Sequence, residues 1–403
     1  MSQYEFVNSS KDKCSGCGLC AIKCPKNAIK MDTDDNGFVY ARIDKSKCIN
    51  CNICKKICPY INKETTNNFN KKSYVAVSNN DTLLSTVASG GVFTSLAQTF
   101  IESGDLVCGS ILNNNGKFEV KHILCSSIED LELIKGSKYV QSSIFDVYKE
   151  IDEALKKNKN VLFSGTPCQV ASIKKYTGNP DNLYTIDIIC HGVPSIKLFN
   201  DYIKFENMQK DIIIKDYKFR DKRKGWGLYY YYYYYDNKTK KMVSKTKPAF
   251  KSSYYQLFLD SYTYRDNCYS CPFATNERVG DITIGDYWGV EKEHPEIIKT
   301  KEVEAYKGIS CLIVNSTKGD KLINNYGNNL KLFESTFSKI AIHNQQLNHP
   351  CQIKKEREQL LKQYKNGGYK NIDSFYRKKY IKKNIIKSMW YKIPYKLRKI
   401  IKK

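Results

Sequence analysis

Two identical cysteine runs near the start of the sequence constrain this chain more than any other feature. Each has the spacing C-x2-C-x2-C-x3-C-P: Cys14, Cys17, Cys20 and Cys24-Pro25 form the first run, and Cys48, Cys51, Cys54 and Cys58-Pro59 form the second. In such a run a tight loop wraps three thiolates around one cubane, and the fourth cysteine reaches the other cluster. The spacing therefore predicts two 4Fe-4S clusters, held by Cys14, Cys17, Cys20 and Cys58 and by Cys48, Cys51, Cys54 and Cys24.

Zinc sites and disulfides are the other common uses of clustered cysteines. Two complete copies, each ending in Cys-Pro, favour iron–sulfur ligation over both alternatives. The first residues contain no apolar signal-peptide core, and no run approaches the roughly 18 apolar residues of a membrane-spanning helix. We therefore expect a soluble, cytoplasmic protein whose cysteines are kept reduced.

The chain has 403 residues, which is too long for a ferredoxin alone. Residues 1–60 form the cysteine-rich module, and the polar segment 61–72 has the composition of a linker. Over residues 73–350, short β-branched strands alternate with amphipathic helices. The predicted fold class is α+β: a small ferredoxin-like domain, a larger mixed α/β domain, and a basic helical tail over residues 351–403 that is broken at Pro394.

The net charge of +25 raises nucleic acid as a partner, but the charge is unevenly distributed. Residues 352–403 contain 18 Lys or Arg against 3 Asp or Glu. No nucleic-acid recognition motif accompanies this tail, so nucleic acid is not favoured. Because Lys and Arg alternate with Ile, Tyr and Trp390, the tail is predicted to bind an anionic surface, either membrane lipid or an acidic redox partner. The protein would then be peripheral at the membrane, and a solvated tail is the alternative.

Several compact strings follow one another along the larger domain. They are Ser89-Gly90-Gly91, KGSKYVQS (135–142), SGTPCQ (164–169), ICHGVPS (189–195), KFRDKRKGWG (218–227), CYSCPFA (268–274) and GDITIGDYWG (280–289). Their order, behind an N-terminal ferredoxin module, resembles the coenzyme F-420 hydrogenase/dehydrogenase beta-subunit family. The resemblance implies a mixed α/β domain that binds FAD and passes electrons between a flavin and iron–sulfur clusters.

Four further cysteines are candidates for a third metal site. Cys168 and Cys190 each follow an apolar strand, and open α/β sheets place ligands at strand ends. Cys268 and Cys271 form a C-x2-C pair followed by Pro272. The residues alone support a four-cysteine zinc site as well as a third 4Fe-4S cluster, and the family resemblance favours the cluster. The remaining cysteines lack ligand spacing and are expected to be buried apolar residues: Cys108, Cys125, Cys311 and Cys351.

The candidate flavin-binding residues lie in two short loops. No G-x-G-x-x-G follows a strand, so a Rossmann cradle is not predicted. Ser89, Gly90 and Gly91 precede a helix predicted from Val92, whose first amides suit a pyrophosphate. The second loop offers amides and cations of the same use, from Lys135, Gly136, Ser137 and Lys138. Such loops are commonly plain turns, and the family resemblance makes them candidates for FAD.

Three further positions are expected at the crevice. His191 follows Cys190 and is the candidate catalytic residue, assisting proton transfer at a flavin or hydrogen-bonding a cluster sulfur, with a structural loop histidine as the alternative. Asp286, a candidate cofactor-binding residue, and Trp288 follow the strand 281–285. The charged run that begins at Arg220 suits an anionic substrate or partner, or forms a solvated surface.

Together these features predict a flavin-dependent iron–sulfur oxidoreductase. FAD would exchange a hydride with a small-molecule donor or acceptor, and the clusters would carry single electrons to or from a redox partner protein. The alternative is a non-catalytic electron-relay protein that holds clusters but no flavin and serves a partner enzyme. A nucleic-acid or anionic-surface binder with structural clusters rests on the basic tail alone.

Overall fold

The computed structural model describes residues 4–8, 10–63, 69–391 and 393. Its strands are β1 Tyr4–Phe6, β2 Ile29–Thr33, β3 Val39–Asp44, β4 Lys72–Ser78, β5 Leu106–Asn114, β6 Phe118–Cys125, β7 Val161–Gly165, β8 Leu183–Ile188, β9 Ile212–Lys218, β10 Tyr229–Asp236, β11 Lys241–Pro248, β12 Ile282–Asp286, β13 Ser310–Val314 and β14 Leu330–Ser335. Its α-helices are α1 Leu19–Ile22, α2 Ile53–Lys56, α3 Asp81–Thr86, α4 Val92–Glu102, α5 Ile128–Ile134, α6 Val147–Lys156, α7 Pro167–Thr177, α8 Ile196–Lys210, α9 Ser253–Leu259, α10 Val290–Glu293, α11 Pro295–Lys299, α12 Thr317–Tyr326, α13 Phe337–His343, α14 Arg357–Gly367 and α15 Tyr369–Trp390.

The cysteine-rich module folds around a small antiparallel sheet with the strand order β1-β3-β2. Strands β2 and β3 form a hairpin whose turn is held by the Asp34 carboxylate, which accepts the amides of Asn36 and Phe38 at 3.0 Å each. Helix α1 contains Cys20, and helix α2 contains Cys54. The two cysteine runs therefore have the same local structure, a loop that leads into one helical turn.

The larger domain is built on an eight-stranded mixed sheet with the order β14-β4-β13-β12-β8-β7-β5-β6. The pairs β5–β7, β7–β8 and β8–β12 are parallel, and the remaining pairs are antiparallel. Helices cover both faces: α4, α5 and α12 pack against one, and α6 and α7 against part of the other. The central strand β13 is buried along its whole length, as expected when both faces are covered. The mixed α/β prediction is confirmed.

The parallel strands end at one edge of this sheet. There the chain turns from β7 into α7 through Thr166 and Pro167, and a capping box between Thr166 and Gln169 fixes the first turn of the helix. Strands β8 and β12 end beside β7, at Ile188 and Asp286. Ligands of open α/β sheets bind at such an edge, and this one carries the candidate site.

An aromatic layer completes the domain. The tyrosine run of residues 229–235 forms β10, in the antiparallel sheet β11-β10-β9, and alternate tyrosines pack against α8 and α9. Helices α14 and α15 pack against the same layer and bury Tyr364, Tyr369 and Tyr376 in it. The expectation of a separate tail after Pro350 is therefore corrected for residues 357–380, because their tyrosines complete the hydrophobic core.

Two expectations fall partly or wholly beyond the described residues. Residues 64–68 of the predicted linker and the predicted helix break at Pro394 both lie outside them. Within the described part of the chain, no helix combines the length and the apolar character needed to cross a bilayer.

The packing of α15 makes a stability prediction. Tyr369→Ala removes a buried ring that stacks near Tyr202 and Phe205, so it should lower the free energy of unfolding by about 3 kcal/mol. Ile386→Ala on the exposed face of the same helix should change it by about 0.5 kcal/mol or less. Anaerobic denaturant unfolding of both variants measures the difference, and equal stabilities would show that α15 is not part of the core.

Candidate functional site

A cavity of about 430 Å³ lies at the carboxyl ends of the parallel strands. Its wall contains Gly165, Ile188 and Asp286 from the ends of β7, β8 and β12. Residues 15–17 of the cysteine-rich module form another part of the same wall. The volume lies within the range of about 300–1,000 Å³ that is typical of small-molecule sites.

Three of the four candidate third-site cysteines line this cavity: Cys168, Cys190 and Cys268. Burial raises the pKa of the Cys190 thiol, and Cys268, Cys168 and Cys271 raise it further. The structure thus brings together four thiols from α7, the segment after β8 and the segment before β12. Four thiols are the donor set of a 4Fe-4S cluster, so these residues fit that group chemically.

The ferredoxin thiols fall into the two sets that the sequence predicts. Burial raises the pKa of Cys17 to about 12, with further contributions from Cys14, Cys58 and Cys168. Burial also raises the pKa of Cys54, with contributions from Cys48, Cys51 and Cys24. All four thiols of this second set line a separate cavity of about 770 Å³. The first set is therefore the one that faces Cys168.

The Ser89-Gly90-Gly91 loop leads into α4 at the wall of the 430 Å³ cavity. Gly91 has a φ of +82° at the start of the helix, in the left-handed region that favours glycine. At Gly90 a Cβ atom would collide with the backbone of β4 and β13. The Gly90 amide donates to the Ser310 hydroxyl at 2.9 Å, so Gly90 supports the loop, whereas Ser89, Gly91 and the first turn of α4 face the cavity.

The 135–138 loop contributes Gly136, Ser137 and Lys138 to the cavity wall. Burial lowers the pKa of Lys138 to about 7, and its ammonium donates to the Lys135 carbonyl at 2.7 Å. The Lys135 side chain instead forms an ion pair with Glu132 and is not part of the wall. The loop therefore presents a single lysine side chain to the cavity.

Asp286 lines the cavity but is engaged by an arginine. Arg220 donates to both carboxylate oxygens at 2.6 and 3.2 Å, and Trp226 Nε1 donates at 2.9 Å. Burial opposes ionisation of Asp286, but the guanidinium outweighs it and lowers the pKa of the carboxyl. Arg220 also donates to the Ala88 carbonyl at 3.1 Å, next to the glycine loop. Asp286 and Arg220 thus form a buried pair that supports this loop.

The rest of the charged run divides between the interior and the surface. Lys222 donates to the backbone carbonyls of Leu84 and Ser89, and burial lowers its pKa to about 7. Arg223 and Lys224 are exposed. The part of the run that enters the domain therefore holds the glycine loop in place.

His191 lines the cavity, and its side chain is accessible there. The surrounding protein lowers the pKa of the imidazole, with Asp286 acting in the opposite direction. The imidazole is therefore neutral near pH 7 and able to accept a proton. Cys351, which has no ligand spacing, donates from Sγ to the His191 carbonyl at 3.2 Å, whereas Cys108, Cys125 and Cys311 are buried.

Within the described residues, no three His, Cys, Asp or Glu side chains meet the geometric requirement for binding one metal ion. The grouping of the thiols rests on their mutual electrostatic influence and on the cavities that they line.

Comparison with known proteins assigns both parts of the chain. Residues 13–62 match the family of 4Fe-4S dicluster domains, and residues 158–339 match the family described as the C terminus of the coenzyme F420 hydrogenase/dehydrogenase beta subunit. The chain belongs to the coenzyme F420 hydrogenase/dehydrogenase beta-subunit family. The resemblance seen in the sequence is confirmed, and the chain is an iron–sulfur electron-transfer protein of an oxidoreductase family.

One curated relative is an F(420)H(2) dehydrogenase subunit of Methanosarcina mazei. It is 24% identical over 208 residues, which cover 48% of this chain and 59% of the relative, so the match spans less than two-thirds of the relative's length. Among solved structures, a chain of the F420-reducing NiFe hydrogenase complex from Methanosarcina barkeri is 16% identical, with a TM-score of 0.44. That match covers 73% of this chain and 93% of the other.

Arg265 is a site residue of this beta-subunit domain that sequence reasoning missed. Its buried guanidinium donates to the carbonyls of Cys14 at 2.9 Å and Val39 at 2.6 Å, and to Gln141 Oε1 at 3.0 Å. The Tyr40 ring lies 4.1 Å from the guanidinium carbon. No motif contains Arg265, and its position three residues before Cys268 is the signal that could have pointed to it.

Further hydrogen bonds join the ferredoxin module to the beta-subunit domain. Tyr148 donates to the Cys17 carbonyl at 3.1 Å, and Gln141 donates to the Ser15 carbonyl at 3.0 Å. Tyr60 donates to the Ser270 carbonyl at 2.9 Å. The module is therefore docked by contacts beside Cys14, Cys17 and the segment between Cys268 and Cys271.

Arg265→Met should loosen this docking, because it leaves the Cys14 and Val39 carbonyls without their charged donor. We expect a loss of about 2 to 3 kcal/mol of protection against amide hydrogen exchange over residues 13–60. Arg223→Met, at an exposed arginine, is the matched control. Unchanged exchange in the Arg265 variant would show that other contacts hold the module.

Proposed function

We propose that this chain is an iron–sulfur flavoprotein oxidoreductase that binds FAD in the 430 Å³ cavity and a third 4Fe-4S cluster at Cys168, Cys190, Cys268 and Cys271. One observation carries the proposal: a single cavity is lined by the glycine loop, by Lys138, by three of these thiols and by Cys17 of the ferredoxin module. FAD, when bound, exchanges two electrons with a hydride donor or acceptor and releases them singly to one-electron carriers.

The residues of the cavity suit the parts of such a cofactor. The first turn of α4 and the Lys138 ammonium offer amide donors and a cation to a pyrophosphate. His191, neutral and accessible from the cavity, is the candidate to accept or return the proton that accompanies hydride chemistry. Asp286 takes a structural role in this proposal, since Arg220 already occupies both of its oxygens.

The order of the thiol sets supports a direction along the chain of carriers. Cys168 influences Cys17, so the third site neighbours the first ferredoxin set. Cys54 of the second set influences Cys20 of the first, so these two sets are neighbours as well. Cys51 of the second set is exposed, which suits exchange with a redox partner protein. Arg265 favours the charged form of Cys168 and Cys268, and so stabilises negative charge at the third site.

The substrate is proposed as a small-molecule hydride donor or acceptor. The relative from Methanosarcina mazei is named for reduced coenzyme F420, which makes a deazaflavin one candidate of this class. Cytoplasmic location and the domain limits at residues 60, 72 and 350 remain predictions.

The third cluster is tested by metal content. Anaerobically prepared wild-type protein should contain twelve irons per chain, the content of three 4Fe-4S clusters. Replacing Cys268 and Cys271 with Ser should reduce this to eight and leave the ferredoxin clusters spectroscopically intact, whereas replacing Cys108 with Ser should change nothing. Eight irons with one zinc in the wild type would replace the third cluster by a zinc site.

FAD binding is tested at Lys138. Lys138→Ala should lose about 1 to 3 kcal/mol of flavin affinity at constant iron content, because a charge-assisted contact to the pyrophosphate is removed. Lys135→Ala is the matched control, since that side chain pairs with Glu132 instead of lining the cavity. Titration with FAD, followed by flavin fluorescence, measures both affinities.

The same experiment has a pH arm. An anionic pyrophosphate raises the pKa of Lys138 above its unliganded value of about 7, so binding takes up a proton above that pH. Wild-type affinity should be highest below pH 7 and should fall as the pH rises, and Lys138→Ala should flatten this dependence. Absence of any flavin binding by the reconstituted wild type would favour the non-catalytic relay.

A further inference from the structure

Helix α15 carries an apolar stripe on the side that faces away from the protein. Ile381, Ile385 and Met389 follow one another at four-residue intervals and are 58%, 54% and 64% exposed, with Ile386 beside them at 69%. Residues four apart lie on one face of a helix, so these side chains form a continuous line. Isolated exposed apolar residues are ordinary, but an aligned set of four indicates a binding surface.

The rest of the helix is held against the protein, so the stripe is not part of a detached end. Tyr376 and Tyr380 are buried on the inner face. Tyr391, just after the helix, contacts the rings of Phe250 and Tyr229 at centroid distances of 5.1 and 5.8 Å. The stripe is therefore anchored at both ends and displayed from a fixed position.

The charge around the stripe is entirely basic. Lys378, Lys382 and Lys383 are exposed on the same helix. The sequence contains no Asp or Glu after Asp373, whereas residues 374–403 contain 12 Lys or Arg. The complementary surface must therefore be anionic.

The mixture of lysines with the apolar stripe distinguishes between two kinds of anionic surface. The buried centre of a protein–protein interface is depleted in lysine, because each ammonium there must be desolvated. At a membrane surface the same side chains extend their ammonium groups to the phosphate level while the aliphatic residues enter the acyl boundary. Lys378 and Lys382 lie along the isoleucine stripe, as this arrangement requires.

We propose that α15 docks the protein onto an anionic lipid bilayer, with Ile381, Ile385, Ile386 and Met389 entering the interface and Lys378, Lys382 and Lys383 contacting lipid phosphates. The helix lies in the plane of the surface and does not span it. This docking does not depend on the flavin, because none of the seven residues lines the 430 Å³ cavity.

Co-sedimentation of the full chain with lipid vesicles tests the proposal. The wild type should bind vesicles of phosphatidylglycerol mixed with phosphatidylcholine and should bind pure phosphatidylcholine at least about tenfold more weakly. Raising the ionic strength should weaken the binding to the anionic vesicles.

Two sets of substitutions separate the contributions of the stripe and the charge. Ile381→Ser with Ile385→Ser and Met389→Ser keeps every lysine, and Lys378→Gln with Lys382→Gln and Lys383→Gln keeps the stripe; each set should weaken binding at least about tenfold. The matched controls, Met208→Ser on α8 and Lys238→Gln with Lys240→Gln and Lys241→Gln at the β10–β11 turn, should bind like the wild type. Iron content should be unchanged in every variant.

The remaining outcomes overturn the proposal. Full binding by the serine set would mean that the stripe does not enter the bilayer, and equal binding to neutral and anionic vesicles would remove the role of the lysines. No vesicle binding by the wild type, together with salt-sensitive capture of an acidic protein such as a ferredoxin, would assign the helix to a protein partner.

Discussion

A buried ion pair between Asp187 and Arg278 fixes the segments that carry the site. The two side chains are 0% and 1% exposed, and Arg278 Nη2 lies 2.9 Å from Asp187 Oδ1. Thr283 donates to the same oxygen at 2.6 Å, and the Val279 and Gly280 amides donate to the other. Such a pair compensates its desolvation only when the remaining hydrogen-bonding groups are satisfied, as they are at this carboxylate. Asp187 comes three residues before Cys190 and Arg278 seven after Cys271, so the pair sets the relative position of two candidate ligands.

Three buried arginines surround the cavity, and each is tied to a different partner. Arg278 holds the ends of β8 and β12, Arg220 holds Asp286 and the glycine loop, and Arg265 holds the ferredoxin module. A guanidinium presents several donors in one plane, so it can join separate backbone segments in a way that a lysine cannot. The arrangement also places positive charge where the proposed cofactors are negative.

How far the sequence predicts this structure depends on the distance over which each signal acts. The cysteine spacing and the alternation of strands and helices are local patterns, and they predicted the ferredoxin module, the mixed α/β domain and the helix at Val92. The strand-end argument placed Cys168, Cys190 and Asp286 at one cavity, because parallel strands end at one edge. Neither kind of pattern shows which side chains pair in space, so the engagement of Asp286 by Arg220, the outward turn of Lys135 and the role of Arg265 required the fold.

The basic tail shows the same limit from the opposite side. Its charge suggested a detached element, but tyrosines at helical spacing are buried in the aromatic layer. This layer continues to the site: Tyr369 packs on Tyr202, Tyr202 on Tyr254, and Tyr254 donates to the Tyr139 carbonyl in the cavity wall. Close-packed rings of this kind transmit position without slack. A surface bound by α15 is therefore held at a fixed orientation to the cavity, and the ion pair between Lys365 of α14 and Asp35 extends that constraint to the ferredoxin module.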